Sequence, residues 1–176
     1  ARYDPKKDHI NLLNALSLIR LKNIDFLCIL VGLNIDKNNK NLVSEIKKLK
    51  LNKHVKLLGQ KKNISQVMNG LDIYIQSSSN GEGFPNVVAE AMACGTPCVV
   101  TDVGDAAFIV GKTGLVVNPK DPKRLAKSIE NTIYEISSKN WMKKCNQARL
   151  RIKNNFDITK MIKSYNEVWL KTLGVN

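Results

Sequence analysis

Apolar residues along this chain alternate between two rhythms. Short runs, Phe26 to Val31, Val55 to Leu58, Asp72 to Gln76, Cys98 to Thr101 and Leu115 to Val117, read as buried strands. Between them the spacing turns helical. Ile10, Leu12, Leu13, Leu16 and Ile19 predict a helix that Asp8 can cap, and further helices are expected around Leu42 to Leu49 and Ser65 to Asn69. Strands alternating with helices predict an α/β fold, a Rossmann-like doubly wound parallel sheet. From about Asp121 the reading is helical to the end. Leu125, Ile129, Ile133 and Ile136 form one apolar stripe there, and Met161, Ile162, Tyr165, Val168 and Trp169 form another, a spacing that usually marks core.

The most informative segment is Glu82-Gly83-Phe84-Pro85-Asn86-Val87-Val88-Ala89-Glu90. A polar loop, Ser77-Ser78-Ser79-Asn80-Gly81, leads into it, and Pro85 sits where a helix should begin. Ala89 to Ala93 are strong helix formers, and Gly95-Thr96-Pro97 stops the run. Glu90 then lies about two turns from Glu82 and can face the same cleft. The free N–H groups of the helix start suit a phosphate or a polar sugar. In an open α/β sheet the ligand site lies beyond the carboxyl ends of the strands, where Gly32, Gly59, residues 77–84 and Asp102-Val103-Gly104 should converge.

A length of 176 residues with 43% hydrophobic content fits one domain, residues 1–176. No apolar run reaches the ~18 residues of a membrane-spanning helix, and no signal peptide is visible. The four cysteines, Cys28, Cys94, Cys98 and Cys145, lack zinc-like pairing and read as reduced thiols. The net charge of +13 rests on lysines spread along helices beside abundant Asn and Ile, which reads as composition bias. Aromatics at 6%, without clustered Arg, argue against nucleic acid as a partner.

The run from Glu82 through Gly104 resembles the signature of the family 4 retaining glycosyltransferases, the group 1 glycosyltransferases of GT-B architecture. Two more blocks follow the family's order: Ala1-Arg2-Tyr3-Asp4-Pro5-Lys6-Lys7-Asp8-His9 and Thr113-Gly114-Leu115-Val116-Val117-Asn118-Pro119-Lys120-Asp121-Pro122. The resemblance covers nearly the whole chain. It implies the C-terminal, donor-binding half of such an enzyme, with the N-terminal acceptor domain as its partner; in the family the last helix commonly crosses back onto that first domain, so without it part of the Tyr165 and Trp169 face is expected to be exposed. The abrupt opening at Ala1 agrees with an excised piece, expected to bind donor and transfer nothing alone.

The resemblance also distributes roles. Arg2 and Lys7 would neutralise the diphosphate, a task that a divalent metal performs in other transferases, so neither metal nor cofactor is expected. Glu82 would stand near the donor sugar, positioning it or stabilising charge at the anomeric centre and so catalytic only in a loose sense, and Glu90 would hold the ribose hydroxyls. Gly83, Phe84, Pro85, Asn86 and Val87 would line the donor, with main-chain N–H groups of Phe84, Asn86 and Val87 donating and Pro85 unable to. Gly59, Gln60 and Lys61 would meet the nucleobase. The chain departs from the family where a second Gly and a Glu are common, reading Asp105 and Phe108 instead.

Function implied this way is retaining hexosyl transfer from a nucleotide diphosphate sugar, a UDP-sugar above others, to a glycan or lipid-linked acceptor in bacterial surface polysaccharide assembly. The location implied is cytoplasmic, with peripheral contact at the inner face of the membrane left open. A dehydrogenase would also use a Rossmann-like domain, but no G-x-G-x-x-G follows the first strand. A catalytically silent nucleotide-binding or interaction module is the other alternative. Both glutamates and both cations survive here, and such decay would often erase them.

Overall fold

Five short strands, all parallel to their neighbours, carry the helices between them. The computed structural model describes residues 1–174. In chain order the elements are α1 (His9–Leu21), β1 (Cys28–Leu30), α2 (Lys40–Lys48), β2 (Val55–Leu57), α3 (Ile64–Asn69), β3 (Tyr74–Gln76) and α4 (Asn86–Ala93). There follow β4 (Cys98–Thr101), α5 (Ala106–Val110), β5 (Leu115–Val117), α6 (Pro122–Ile136), α7 (Trp141–Asn155) and α8 (Ile158–Leu173). Asp8, Asn39, Asp121 and Asp157 cap α1, α2, α6 and α8 with side-chain oxygens. Val175 and Asn176, the last residues of the expected helical tail, lie outside the described residues.

β4 is central in a three-stranded ribbon, pairing Tyr74 with Cys98 on one side and Val99 with Leu115 on the other. All four of its residues are buried, as a strand covered on both faces requires. Val99 enters a core made by α1, α2 and α6, while Cys98 and Val100 enter one made by α3, α4, α5 and α7. The pleat thus divides one strand between two helix layers.

Sequence reading expects one continuous sheet, but β1 and β2 pair separately, Cys28 opposite Val55 and Leu30 opposite Leu57. Facing edges of β1 and β3 border a largely apolar cavity of about 460 Å³, closed by Leu12, Leu16, Met68 and Ile129. Three-residue strands offer few edge amides, so helix packing holds the two ribbons side by side. Gly32 N–H donates to Gly59 O at 2.9 Å, which fixes the loop after β1 against the loop after β2.

The stripe of α6 is core as expected, with Leu125 and Ile129 buried. That of α8 is not. Every described residue of α8 is exposed, Tyr165 and Trp169 by 56% and 61%, because no described element packs over it.

Candidate functional site

Residues 1–8 meet the loop after β3 at the carboxyl ends of the strands. Asp4 caps a short 3-10 turn, Pro5–Lys7, by accepting from Lys6 N–H at 2.9 Å. The Ser77 hydroxyl donates to Lys7 O at 2.9 Å and Ser79 N–H to Lys6 O at 2.8 Å. Those bonds bring together two charges 75 positions apart in sequence. Lys7 Nζ donates to Glu82 Oε1 at 2.6 Å, with the side chains only 25% and 10% exposed.

Glu82 is held twice on one oxygen. The Ser78 hydroxyl also donates to Oε1, at 2.5 Å, and the buried Thr101 hydroxyl grips Ser78 O at 2.7 Å. Burial pushes the Glu82 carboxyl up, but the hydrogen bonds from Lys7 and Ser78 outweigh it and leave the group below its ordinary value. The result is an ionised carboxylate beside a fixed ammonium.

The turn after β4 sets the Glu82-Gly83 main chain. Gly104 has φ +59°, and a Cβ there would stand 2.4 Å from Gly83 O and 2.5 Å from Glu82 O. Asp105 N–H donates to Gly83 O at 2.9 Å, so Asp105 acts through its main chain. Phe108 is 65% exposed and meets Phe156 edge-on at 5.5 Å.

Pro85 is the N-cap of α4, one position before the helical residue that sequence reading assigned it, because its ψ of 91° is extended. Asn86 therefore opens the helix. The N–H groups of Asn86 and Val87 lack the carbonyl four residues back that a later turn would supply. With Phe84 N–H they donate to no acceptor among the described residues. Phe84 itself is 40% exposed, its ring tilted on Phe156 at 5.6 Å.

Other sequence-derived residues stand further out. Glu90 is exposed on the second turn of α4 and is not in the cavity lined by Lys7 and Glu82. Arg2 is exposed, its Nε donating to Asp4 Oδ2 at 3.2 Å. Gly59, with φ +66°, starts the loop after β2, where Gln60 and Lys61 are exposed. Among the described residues no three His, Cys, Asp or Glu side chains converge.

Sequence reasoning missed several participants. Sequence reading brings the loop with Ser77 and Ser78 to the ligand site but gives these serines no role, and it takes Thr101 only as the end of a strand. Gln76, 5% exposed, lines the cavity beside Glu82 with neither amide atom partnered. His9 lines it too, its Nδ1 unpartnered and its ring 5.4 Å from Tyr3. Burial, with the positive charge of the Ala1 ammonium and Lys7, lowers the His9 imidazole to about 4. The triple serine was the one visible signal.

Comparison with known proteins gives this geometry a family. The model of the glycosyl transferases group 1 family matches residues 1–149. A glycosyltransferase from Rickettsia africae superposes with a TM-score of 0.88 at 26% identity, covering 98% of this chain and 46% of that one. Anabaena HepE in complex with UDP gives 0.84 at 27% identity, covering 97% and 47%. An exopolysaccharide phosphotransferase of Streptomyces coelicolor is 38% identical over 87 residues, 48% of this chain and 9% of that protein. The chain thus spans about half of those solved chains and at most 26% of the curated relatives it matches. The chain belongs to the group 1 glycosyltransferases, and its fold is that of the C-terminal half of their GT-B architecture.

Proposed function

We propose that this domain binds the nucleotide diphosphate sugar donor, a UDP-sugar, for retaining hexosyl transfer. The observation that carries this reading is the Lys7–Glu82 pair, assembled at 2.6 Å beside the unclaimed N–H groups of Phe84, Asn86 and Val87. Lys7 Nζ spends one N–H on Glu82 and keeps two for a phosphate oxygen. Arg2, exposed on the same segment, supplies the second cation. The diphosphate lies over the start of α4, where N–H groups and the helix dipole favour negative charge. Glu90 accepts from the ribose hydroxyls, and Gly59, Gln60 and Lys61 border the base. HepE, a structural neighbour, was solved with UDP and with UDP-glucose, which supports the choice of nucleotide.

In the reaction, the bond between the anomeric carbon and the diphosphate oxygen breaks, its electron pair leaving with the phosphate. The acceptor hydroxyl forms the new bond on the same face and yields its proton to the departing phosphate oxygen. Arg2 and Lys7 stabilise charge as it builds there, so the chemistry calls for neither metal nor cofactor. Glu82 holds the sugar and offsets positive charge at the anomeric carbon. The acceptor, a glycan or a lipid-linked saccharide, comes from an N-terminal domain that covers the apolar face of α8. Surface polysaccharide assembly at the cytoplasmic side of the membrane is the setting, in line with the exopolysaccharide name of one relative.

The test is the anomeric configuration of the product made from a UDP-hexose by the two-domain protein, read by proton NMR. Retained configuration, with kcat reduced on the order of 100-fold in Glu82→Gln, is expected. Nucleotide binding without any transfer would instead identify a silent nucleotide-binding module.

A further inference from the structure

The three consecutive serines of the loop after β3 have separate partners. Ser77 and Ser79 fasten the loop to Lys7 and Lys6, the segment that bears the cation. Ser78 faces the acid. Its hydroxyl donates to Glu82 Oε1 at 2.5 Å, the residue is 1% exposed, and its carbonyl is held by the Thr101 hydroxyl at 2.7 Å. Main chain anchored to β4 and burial from water leave that hydroxyl committed to Glu82. Lys7 Nζ occupies the same oxygen. A carboxylate whose Oε1 receives both an ammonium and a hydroxyl is fixed in rotation, and Oε2, which takes neither of those two bonds, can accept from a further donor, the nearby Gln76 amide adding to the stabilisation of the ionised form.

We propose that Ser78 is a positioning residue: with Lys7 it locks the Glu82 carboxylate so that Oε2 accepts hydrogen bonds from hydroxyls of the donor's sugar. This rests on the donor-site reading above and deepens it. Ser78 thereby governs recognition of the sugar without touching the nucleotide. The charged and titratable groups coupled to Glu82 are Lys7, the Ala1 ammonium and Tyr74. Of these Lys7 alone shares the oxygen that Ser78 holds.

The experiment compares wild type, Ser78→Ala, Ser78→Thr and Ser78→Cys by two readouts. Carbon-13 NMR follows the titration of the Glu82 carboxyl, and calorimetry measures affinity for UDP and for UDP-glucose. Loss of a hydrogen bond to the ionised form moves the Glu82 titration to higher pH in Ser78→Ala. Affinity for UDP should stay within about threefold, while the preference for UDP-glucose over UDP falls roughly tenfold, as expected for one bond to a charged group. Ser78→Thr restores both, and Ser78→Cys, nearly isosteric with a weaker donor, falls between. An unmoved Glu82 titration, or a sugar preference retained in Ser78→Ala, overturns the proposal. If wild type binds neither nucleotide, the donor reading fails by itself. A raised Glu82 titration in Ser78→Ala would then still uphold the positioning of the acid, and an unmoved one would overturn that as well.

Discussion

Lys7 and Glu82 form the contact on which the site depends, and its energetics can be isolated. Two charges 2.6 Å apart and mostly shielded should couple, so a double-mutant cycle of Lys7→Met and Glu82→Gln in denaturant unfolding should give about 1 kcal/mol. Additive losses would mean that solvent screens the pair completely. His9 makes a second residue-scale prediction. Its imidazole is lowered from 6.5 to about 4, chiefly by burial, so between these values the unfolded chain binds more protons. The His9 contribution is complete above pH 6.5 and is lost as pH falls toward 4, by up to about 3 kcal/mol. His9→Gln should flatten the stability profile in that window, measured by denaturant midpoints at pH 7, 5.5 and 4.5. At this scale motif and resemblance single out Glu82, Glu90, Arg2 and Lys7; the structure pairs Lys7 with Glu82 and leaves Arg2 and Glu90 exposed apart from them. Ser78, Thr101 and Gln76 were not legible, because their roles depend on which loop end meets which, and ordinary polar residues carry no spacing signal for that.

Elements were easier to read than contacts. β4 and β5 match the apolar runs that predict them; β4 is a continuous apolar run because it is buried on both faces, whereas β5 is equally apolar though its Val116 is exposed. β1 and β3 are shorter than their runs: Phe26, Leu27, Asp72 and Ile73 precede the pairing, and Leu27 is half exposed. The last helix shows the opposite limit, because an apolar stripe specifies a face and leaves its cover unspecified. Trp169→Ala on α8 should therefore cost less than about 0.5 kcal/mol, whereas Leu13→Ala in the fully buried face of α1 should cost about 2–5 kcal/mol. Equal losses in thermal melts would show that α8 is covered within this chain. The turn after β4 is a case of local constraint. Gly104→Ala adds a Cβ 2.4 Å from Gly83 O at φ +59°, and should lower stability by about 2–3 kcal/mol and shift the melting midpoint by roughly 5–10 °C.

Across the whole molecule, the fold places two ribbons of parallel strands so that loops from residues 1–8, 77–84 and 102–105 close on one another. Alternation of strand and helix was enough to predict that class of fold. The break between β1 and β3 was not, since it depends on edge hydrogen bonds that side-chain patterns do not record. The excess of positive charge is spread over lysines of several helices, and Lys7, in the 3-10 turn before α1, is the lysine that pairs with Glu82. We read this arrangement as a nucleotide diphosphate site. The most direct test of that reading is calorimetric titration of UDP, GDP, ADP and NAD⁺ into the domain, beside Arg2→Ala and Glu90→Ala. One nucleoside diphosphate should bind, be lost in both variants, and at ~100 times its Kd raise stability by ~2.7 kcal/mol. Absence of binding by every diphosphate, or binding unchanged in both variants, would contradict the account.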